Sequence, residues 1–134
     1  MARRLASAYF AGAVAALGAT LALWLLARAD LLVAIGVSLA PRLGWELLAS
    51  RVFAGSLWGL GLIVVRRQIP DLTRAALVLS LAPSGIELLV LMPEAGRGML
   101  GVSYGALTPL VVLAANAFWG WLLALGVRRV EGGG

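Results

Sequence analysis

The sequence predicts an all-α membrane protein in which four transmembrane helices form a bundle. Its 134 residues are 62% hydrophobic and 13% charged, and the mean hydropathy is +0.99. This composition leaves too few polar groups to cover a soluble domain. Four apolar stretches are long enough to cross a hydrocarbon core of about 30 Å. The 11 basic residues are all arginine, and all but Arg51 lie near the ends of these stretches, as topology signals do.

Span one is predicted at residues 5–27, between Arg3-Arg4 and Arg28. Its alanines at positions 11, 15 and 19 recur every four residues beside Gly12, which indicates either a close helix interface or an ordinary alanine-rich span. Cleavage of residues 1–29 as a signal peptide is an alternative, because Ala27-Arg28-Ala29 resembles a cleavage site. The apolar stretch, however, is longer than the usual signal core of about 7–15 residues.

Span two is predicted at residues 44–65 and closes with Arg66-Arg67. Between spans one and two, residues 31–40 are apolar but too short to cross the membrane, and Pro41 ends them. We therefore predict an interfacial or re-entrant segment there.

Spans three and four are predicted at residues 72–92 and 109–127. Asp71 is placed to cap span three, and Pro83 inside that span is expected to kink it. Residues 98–107 form a second short semi-apolar segment, again interfacial or re-entrant. Thr108-Pro109 has the pattern of an N-cap followed by the first helical position. Residues 130–134 are predicted to be a flexible tail. The four spans together make residues 1–134 a single transmembrane domain.

The distribution of arginines predicts the orientation of the chain. With four spans, seven arginines lie on the side of the termini and three on the other, at positions 28, 42 and 97. Because arginine-rich loops stay on the cytoplasmic side, both termini are predicted to be cytoplasmic, in a bacterial inner membrane.

Small residues and tryptophans mark the predicted helix-packing positions. Gly55 and Gly59 form a G-x-x-x-G pair beside Trp58 in span two, and Gly120 follows Trp119 in span four. These small-residue faces exceed what four helices need, so we expect a homo-oligomer or a membrane-protein partner within the lipid bilayer. No basic patch interleaved with aromatic residues suggests nucleic-acid binding.

Three intramembrane polar residues are predicted to lie at one depth. Arg51, Glu87 and Asn116 each fall about 8–10 Å inside the outer end of their spans, at the helical rise of about 1.5 Å per residue. Ser80 and Ser84 share the helical spacing of Glu87 and are included in the predicted polar cluster. Charged residues inside a membrane are costly and often functional, so this cluster is the candidate site.

Structural and functional interpretations of the cluster stay open. In the structural one, Arg51 and Glu87 form an ion pair with Asn116 as a hydrogen-bonding bridge, or Arg51 pairs with Glu46 or extends to the headgroups. In the functional one, the cluster lines an outward-facing pocket or an ion path.

Missing residue types limit the chemistry. The chain has no Cys and no His, which excludes thiolate catalysis, Ser–His catalysis and most metal sites. We therefore predict no catalytic residue, metal site or cofactor. The expected function is that of a non-enzymatic membrane protein with an assembly or accessory role, and the alternative is a small transporter or channel that uses the polar cluster.

The stretch Arg51-Val-Phe-Ala-Gly-Ser-Leu-Trp-Gly-Leu resembles the second span of a family of small uncharacterised bacterial four-span membrane proteins. Leu81-Ala-Pro-Ser and Asn116-Ala-Phe-Trp-Gly are similar to later spans of that family. The chain has Phe53-Ala54 where the family's first Trp-Gly is expected. The resemblance implies the four-span fold over residues 40–127 and brings no activity with it.

Overall fold

The computed structural model describes residues 2–38, 44–94, 96 and 98–132. Four long helices dominate these residues: α1 at Ala2–Arg28, α3 at Trp45–Gln68, α4 at Leu72–Ile86 with its continuation to Glu94, and α6 at Thr108–Gly132. All four are long and apolar enough to cross a membrane. The predicted all-helical, four-span membrane bundle is confirmed.

Neighbouring helices run antiparallel, so the start of α1 and the end of α6 lie at one end of the bundle. α1 packs against α3 and α6, α4 packs mainly against α6, and α3 touches α4 less extensively. At the C-terminus of α6, Arg128 Nη2 donates a hydrogen bond to Thr73 Oγ1 at the start of α4, at 2.9 Å. We call this end, which carries Arg4, Arg66 and Arg128, the terminal end, and the opposite end the loop end.

The G-x-x-x-G pair of α3 packs against α1. A Cβ atom added to Gly59 would lie 2.5 Å from the Ala8 oxygen, and one added to Gly55 would lie 2.5 Å from the Cβ of Ala16. A Cβ atom at Gly12 would collide with the Gly55 oxygen. These contacts need residues without side chains, because only glycine lets two helix backbones approach this closely.

Span four also uses its small residues inside the chain. A Cβ atom on Gly120 would lie 2.8 Å from the Ala76 oxygen of α4, and one on Gly126 would lie 3.0 Å from the Ala11 Cβ of α1. Leu123 is completely buried at this junction. The small-residue faces that suggested an oligomer thus pack against helices of the same chain. The homo-oligomer or partner stays a prediction, and these faces no longer support it.

Three features shape α4: a capping residue at its start, a proline inside it and a π-helical turn at its end. Asp71 caps it, with Oδ1 accepting hydrogen bonds from the backbone N–H of Thr73 at 3.1 Å and of Arg74 at 3.5 Å. The helix passes through Pro83 and then widens into a π-helical turn at Glu87–Leu91, before α5 at Met92–Glu94. Pro83 carries no N–H, and the helix adjusts a few residues later by this wider turn.

Two short segments pack together at the loop end. They are α2 at Leu31–Ala34 and a 3₁₀ segment at Met99–Tyr104. Ser38 joins them, since its backbone N–H and its hydroxyl both donate to the Tyr104 carbonyl, at 2.8 and 2.9 Å. Val37 is fully buried beneath this contact. The predicted break at Pro41 lies outside the described residues.

Two boundary predictions in span four were wrong. The Leu107 carbonyl, not that of Thr108, accepts the first helical hydrogen bond, from Val111 N–H at 3.1 Å. Thr108 is already helical, and among the described residues its hydroxyl has no partner, so it does not cap the helix. The helix also continues through Val130 to Gly132, which shortens the predicted tail, because no proline stops it.

Candidate functional site

A cavity of about 490 Å³ lies in the loop-end half of the bundle. All four long helices and Tyr104 contribute to its lining. It forms beside the α3–α4 contact, where these helices pack less extensively than their neighbours. Ligand sites in proteins span about 300–1,000 Å³ and are mostly apolar with a few polar groups, and this cavity has both properties.

The predicted contact between Arg51 and Glu87 is present at the cavity wall. Arg51 Nη2 lies 3.6 Å from Glu87 Oε1. A closed charge-assisted hydrogen bond is shorter, at about 2.7–2.9 Å. The side chain of Arg51 is 45% exposed and that of Glu87 is 18% exposed. The pair is therefore an open, partly exposed one within the cavity lining, and it is not a buried clamp.

A π-helical turn begins at Glu87. Glu87 is its first residue, and the backbone N–H of Met92 bonds back to the Glu87 carbonyl five residues earlier. A π-helical turn carries one extra residue per turn, which rotates side chains away from regular α-helical spacing, and such turns are frequent at functional sites. Glu87 itself is reached by regular helical geometry, since its backbone N–H donates to the Pro83 and Ser84 carbonyls, and it lines the cavity together with Pro83 one turn earlier.

Ser80 and Ser84 do not belong to the polar cluster, which corrects the sequence-based prediction. Neither lines the cavity, and they are 2% and 1% exposed. Their hydroxyls donate to carbonyl oxygens of their own helix, Ser80 to Leu77 at 2.6 Å and Ser84 to Ser80 at 2.9 Å. Ser80 packs instead on Gly120 of α6.

Asn116 lines the cavity together with Arg51 and Glu87, so the three residues predicted at one depth do meet at one site. The predicted bridge is not formed, because within the described part of the chain Asn116 makes no hydrogen bond to either charged residue. Glu46, the alternative partner of Arg51, is exposed at the start of α3 and forms no ion pair with Arg51 there.

Trp119 and the glycine contacts close the cavity toward the middle of the bundle. Trp119 is 5% exposed, and its Nε1–H donates to the Gly12 carbonyl at 3.2 Å. Gly55 and Ala16 line the cavity beside it. Trp58 also lines the cavity and packs against the hydrophobic core. The predicted packing roles of Gly55, Gly59, Gly120, Trp58 and Trp119 thus correspond to observed contacts.

The chemistry of the cavity is polar on one side and apolar elsewhere. The guanidinium and the carboxylate give it one positive and one negative charge, and the Asn116 amide adds a donor and an acceptor. Among the described residues, no group of three acidic, His or Cys side chains is arranged to hold a metal ion. The arrangement is suited to hydrogen bonding and charge pairing with a bound molecule.

Sequence reasoning identified the polar residues but not the contact between α1 and α3 beside the cavity. Ala8, Gly12 and Ala16 of α1 recur every four residues, as Gly55 and Gly59 do in α3. This matching spacing could have identified α1 as the helix that packs on the glycine pair. The sequence did not indicate that Tyr104 lines the cavity, because its position depends on how the 3₁₀ segment folds back.

Comparisons with protein-family models, curated proteins and solved structures give no match to this chain.

Proposed function

We propose that this is a non-enzymatic membrane protein that binds a small amphipathic molecule in the cavity lined by Arg51, Glu87 and Asn116, as a small transporter does. The observation that carries the proposal is the open Arg51–Glu87 pair, which lies in the lining of a cavity of about 490 Å³. The proposed setting is a bacterial inner membrane with both termini in the cytoplasm, where the arginine-rich terminal end would lie.

The polar side of the cavity favours a ligand that accepts hydrogen bonds. Arg51 has several N–H donors, and its one ion-pair contact is the long one with Glu87. Asn116 adds further N–H donors within the same lining. A carboxylate or another acceptor-rich group would complete these bonds, while the apolar walls would take an alkyl or aromatic part.

The closed floor favours a carrier over an open channel. An ion path would have to continue past Trp119 and Gly12, which are in hydrogen-bonding contact. The glycine contacts bring α1 and α3 close together beside this bond. Movement of a solute would therefore require the helices to rearrange, as in alternating access.

An assembly role is the second candidate, because the Arg51–Glu87 pair joins α3 to α4, which pack less extensively than the other neighbouring pairs. A double-mutant cycle with Arg51→Gln and Glu87→Gln distinguishes the two functions. For an open, partly exposed pair we expect a coupling in unfolding free energy of no more than about 1 kcal/mol. A coupling of about 3 kcal/mol would favour the assembly role.

Ligand binding is tested with tryptophan fluorescence. Replacing Trp24, Trp45 and Trp121 with Phe leaves Trp58 and Trp119 as the emitting residues, and both line the cavity. Short brominated alkyl probes that carry a carboxylate, an ammonium or a hydroxyl group then serve as quenchers. We expect saturable quenching, strongest with the carboxylate probe.

Adjacent alanines on α6 provide the matched control. Ala115 lines the cavity, whereas Ala114 is exposed on the surface of the helix and is not part of the lining. Ala115→Phe should weaken saturable quenching at least fivefold, and Ala114→Phe should leave it unchanged. Quenching that is linear for every probe and equal in both variants would mean that the cavity binds none of them.

A further inference from the structure

We propose that a second recess, at the terminal end of the bundle, binds the phosphate headgroup of an anionic phospholipid. This recess of about 290 Å³ lies at the opposite end from the cavity with Arg51. Three of its lining residues are arginines, namely Arg4 of α1 and Arg66 and Arg67 of α3. The proposal is independent of the function proposed for the cavity.

The apolar part of the recess comes from three helices. Ala8 of α1, Leu62 of α3 and Val127 of α6 line it, and each is at most 3% exposed. Ile63 and Pro70 complete the lining. A cationic rim around an apolar floor complements a molecule with an anionic head and an acyl chain. A free phosphate ion would use only the rim.

Among the described residues, no acidic side chain lines the recess. Asp71, at this end of the bundle, lies 4.0 Å from Arg74 and is not part of the lining. Among the described residues, Arg4 and Arg67 form no ion pair, and both are exposed. Arginines that converge from two helices repel one another, and an anion between them would remove that repulsion. Arginine also matches phosphate geometry through paired hydrogen bonds.

The position of the recess fits a lipid headgroup. Arg66 and Arg67 end the apolar part of α3, and Arg4 begins that of α1, so the recess lies where the spans leave the hydrocarbon core. Basic pockets between transmembrane helices at such a level bind anionic headgroups. Phosphatidylglycerol and phosphatidylcholine carry the same phosphate and acyl chains and differ in net charge, which makes them the matched probes.

Native mass spectrometry of the full chain, released from detergent micelles doped with either lipid, measures binding directly. We expect the wild type to retain phosphatidylglycerol at least fivefold more than phosphatidylcholine. The double variant Arg4→Gln/Arg67→Gln should lose at least fivefold of that retention. Arg4→Lys/Arg67→Lys should keep most of it, and Arg4→Gln alone serves if the double variant does not fold.

The control has the same charge change at the same end of the bundle. Arg3 and Arg129 are exposed and do not line the recess, so Arg3→Gln/Arg129→Gln should keep retention within twofold of the wild type. Equal loss in the control would show a general charge effect and overturn the proposal. Equal retention of both lipids would overturn it as well. Inorganic phosphate at millimolar concentration should not displace the lipid, and if it does, the recess is a phosphate site and not a lipid site.

Discussion

The indole Nε1–H of Trp119 donates a hydrogen bond to the backbone carbonyl of Gly12 across 107 residues of sequence, at 3.2 Å and fully within the bundle. This bond joins the last transmembrane helix to the first at the point where Gly12 also touches Gly55. Three helices therefore meet at one glycine. The junction closes the cavity and holds α1, α3 and α6 in register.

Trp119→Phe should destabilise the bundle. It removes the hydrogen bond and part of the indole that fills the junction, and we expect a loss of about 1–2 kcal/mol in unfolding free energy. Unfolding in mixed micelles by a denaturing detergent measures it. Trp121→Phe is the control, because Trp121 is on the same helix but 47% exposed. Equal losses in both variants would show that the Trp119 bond has no special importance.

Gly12→Ala should also be destabilising, because its Cβ atom would collide with the Gly55 backbone and push α1 away from α3. We expect a loss of about 1–3 kcal/mol, the usual range for overpacking. Gly85→Ala meets no atom within 4 Å and should be neutral or stabilising by up to about 1 kcal/mol, since alanine favours helices. Thermal unfolding midpoints in detergent compare the two. A Gly12→Ala variant as stable as the wild type would contradict the observed packing.

Thr108→Val should stabilise the protein or leave its stability unchanged. The Thr108 side chain is completely buried, and among the described residues its hydroxyl has no hydrogen-bond partner. Valine keeps the shape and removes a desolvation cost of about 1–3 kcal/mol. Ser56→Ala is the comparison, because its buried hydroxyl donates to the Val52 carbonyl at 2.8 Å, so its loss should cost up to about 1 kcal/mol. Destabilisation by Thr108→Val would indicate that the hydroxyl has a partner in the membrane.

The proposed orientation is testable with single cysteines, because the chain has none of its own. Ala29 lies at the loop end and Gln68 at the terminal end, and both are exposed. In intact cells whose outer membrane has been permeabilised, a membrane-impermeant maleimide should label Ala29→Cys. It should label Gln68→Cys only after the inner membrane is opened. The reverse pattern would place the termini outside the cytoplasm.

Residue patterns predicted the parts of the fold that depend on local sequence. The four spans follow from apolar length, and the Asp71 cap follows from an acidic residue before a helical stretch, as its bonds to Thr73 and Arg74 show. The meeting of Arg51, Glu87 and Asn116 at one cavity follows from equal depth in antiparallel helices. Each of these inferences needs only position along a helix.

Features that depend on rotation about a helix axis were not predictable from regular spacing. Ser80, Ser84 and Glu87 share one broad helix face, but only Glu87 lines the cavity, whereas both serines are buried in the core. The partner of Gly55 and Gly59 was equally undetermined, because any small-residue face can dock on such a pair.

Access to the cavity is the most direct test of the account. Ala115 lines it and Ala114 is exposed on the helix surface one residue away. A small, charged methanethiosulfonate reagent should modify Ala115→Cys at least tenfold faster than Ala114→Cys in the membrane, because charged reagents do not enter lipid. The brominated carboxylate should slow the reaction of Ala115→Cys alone. Equal, slow reaction at both positions, unaffected by the carboxylate, would contradict a ligand-binding cavity at Arg51 and Glu87.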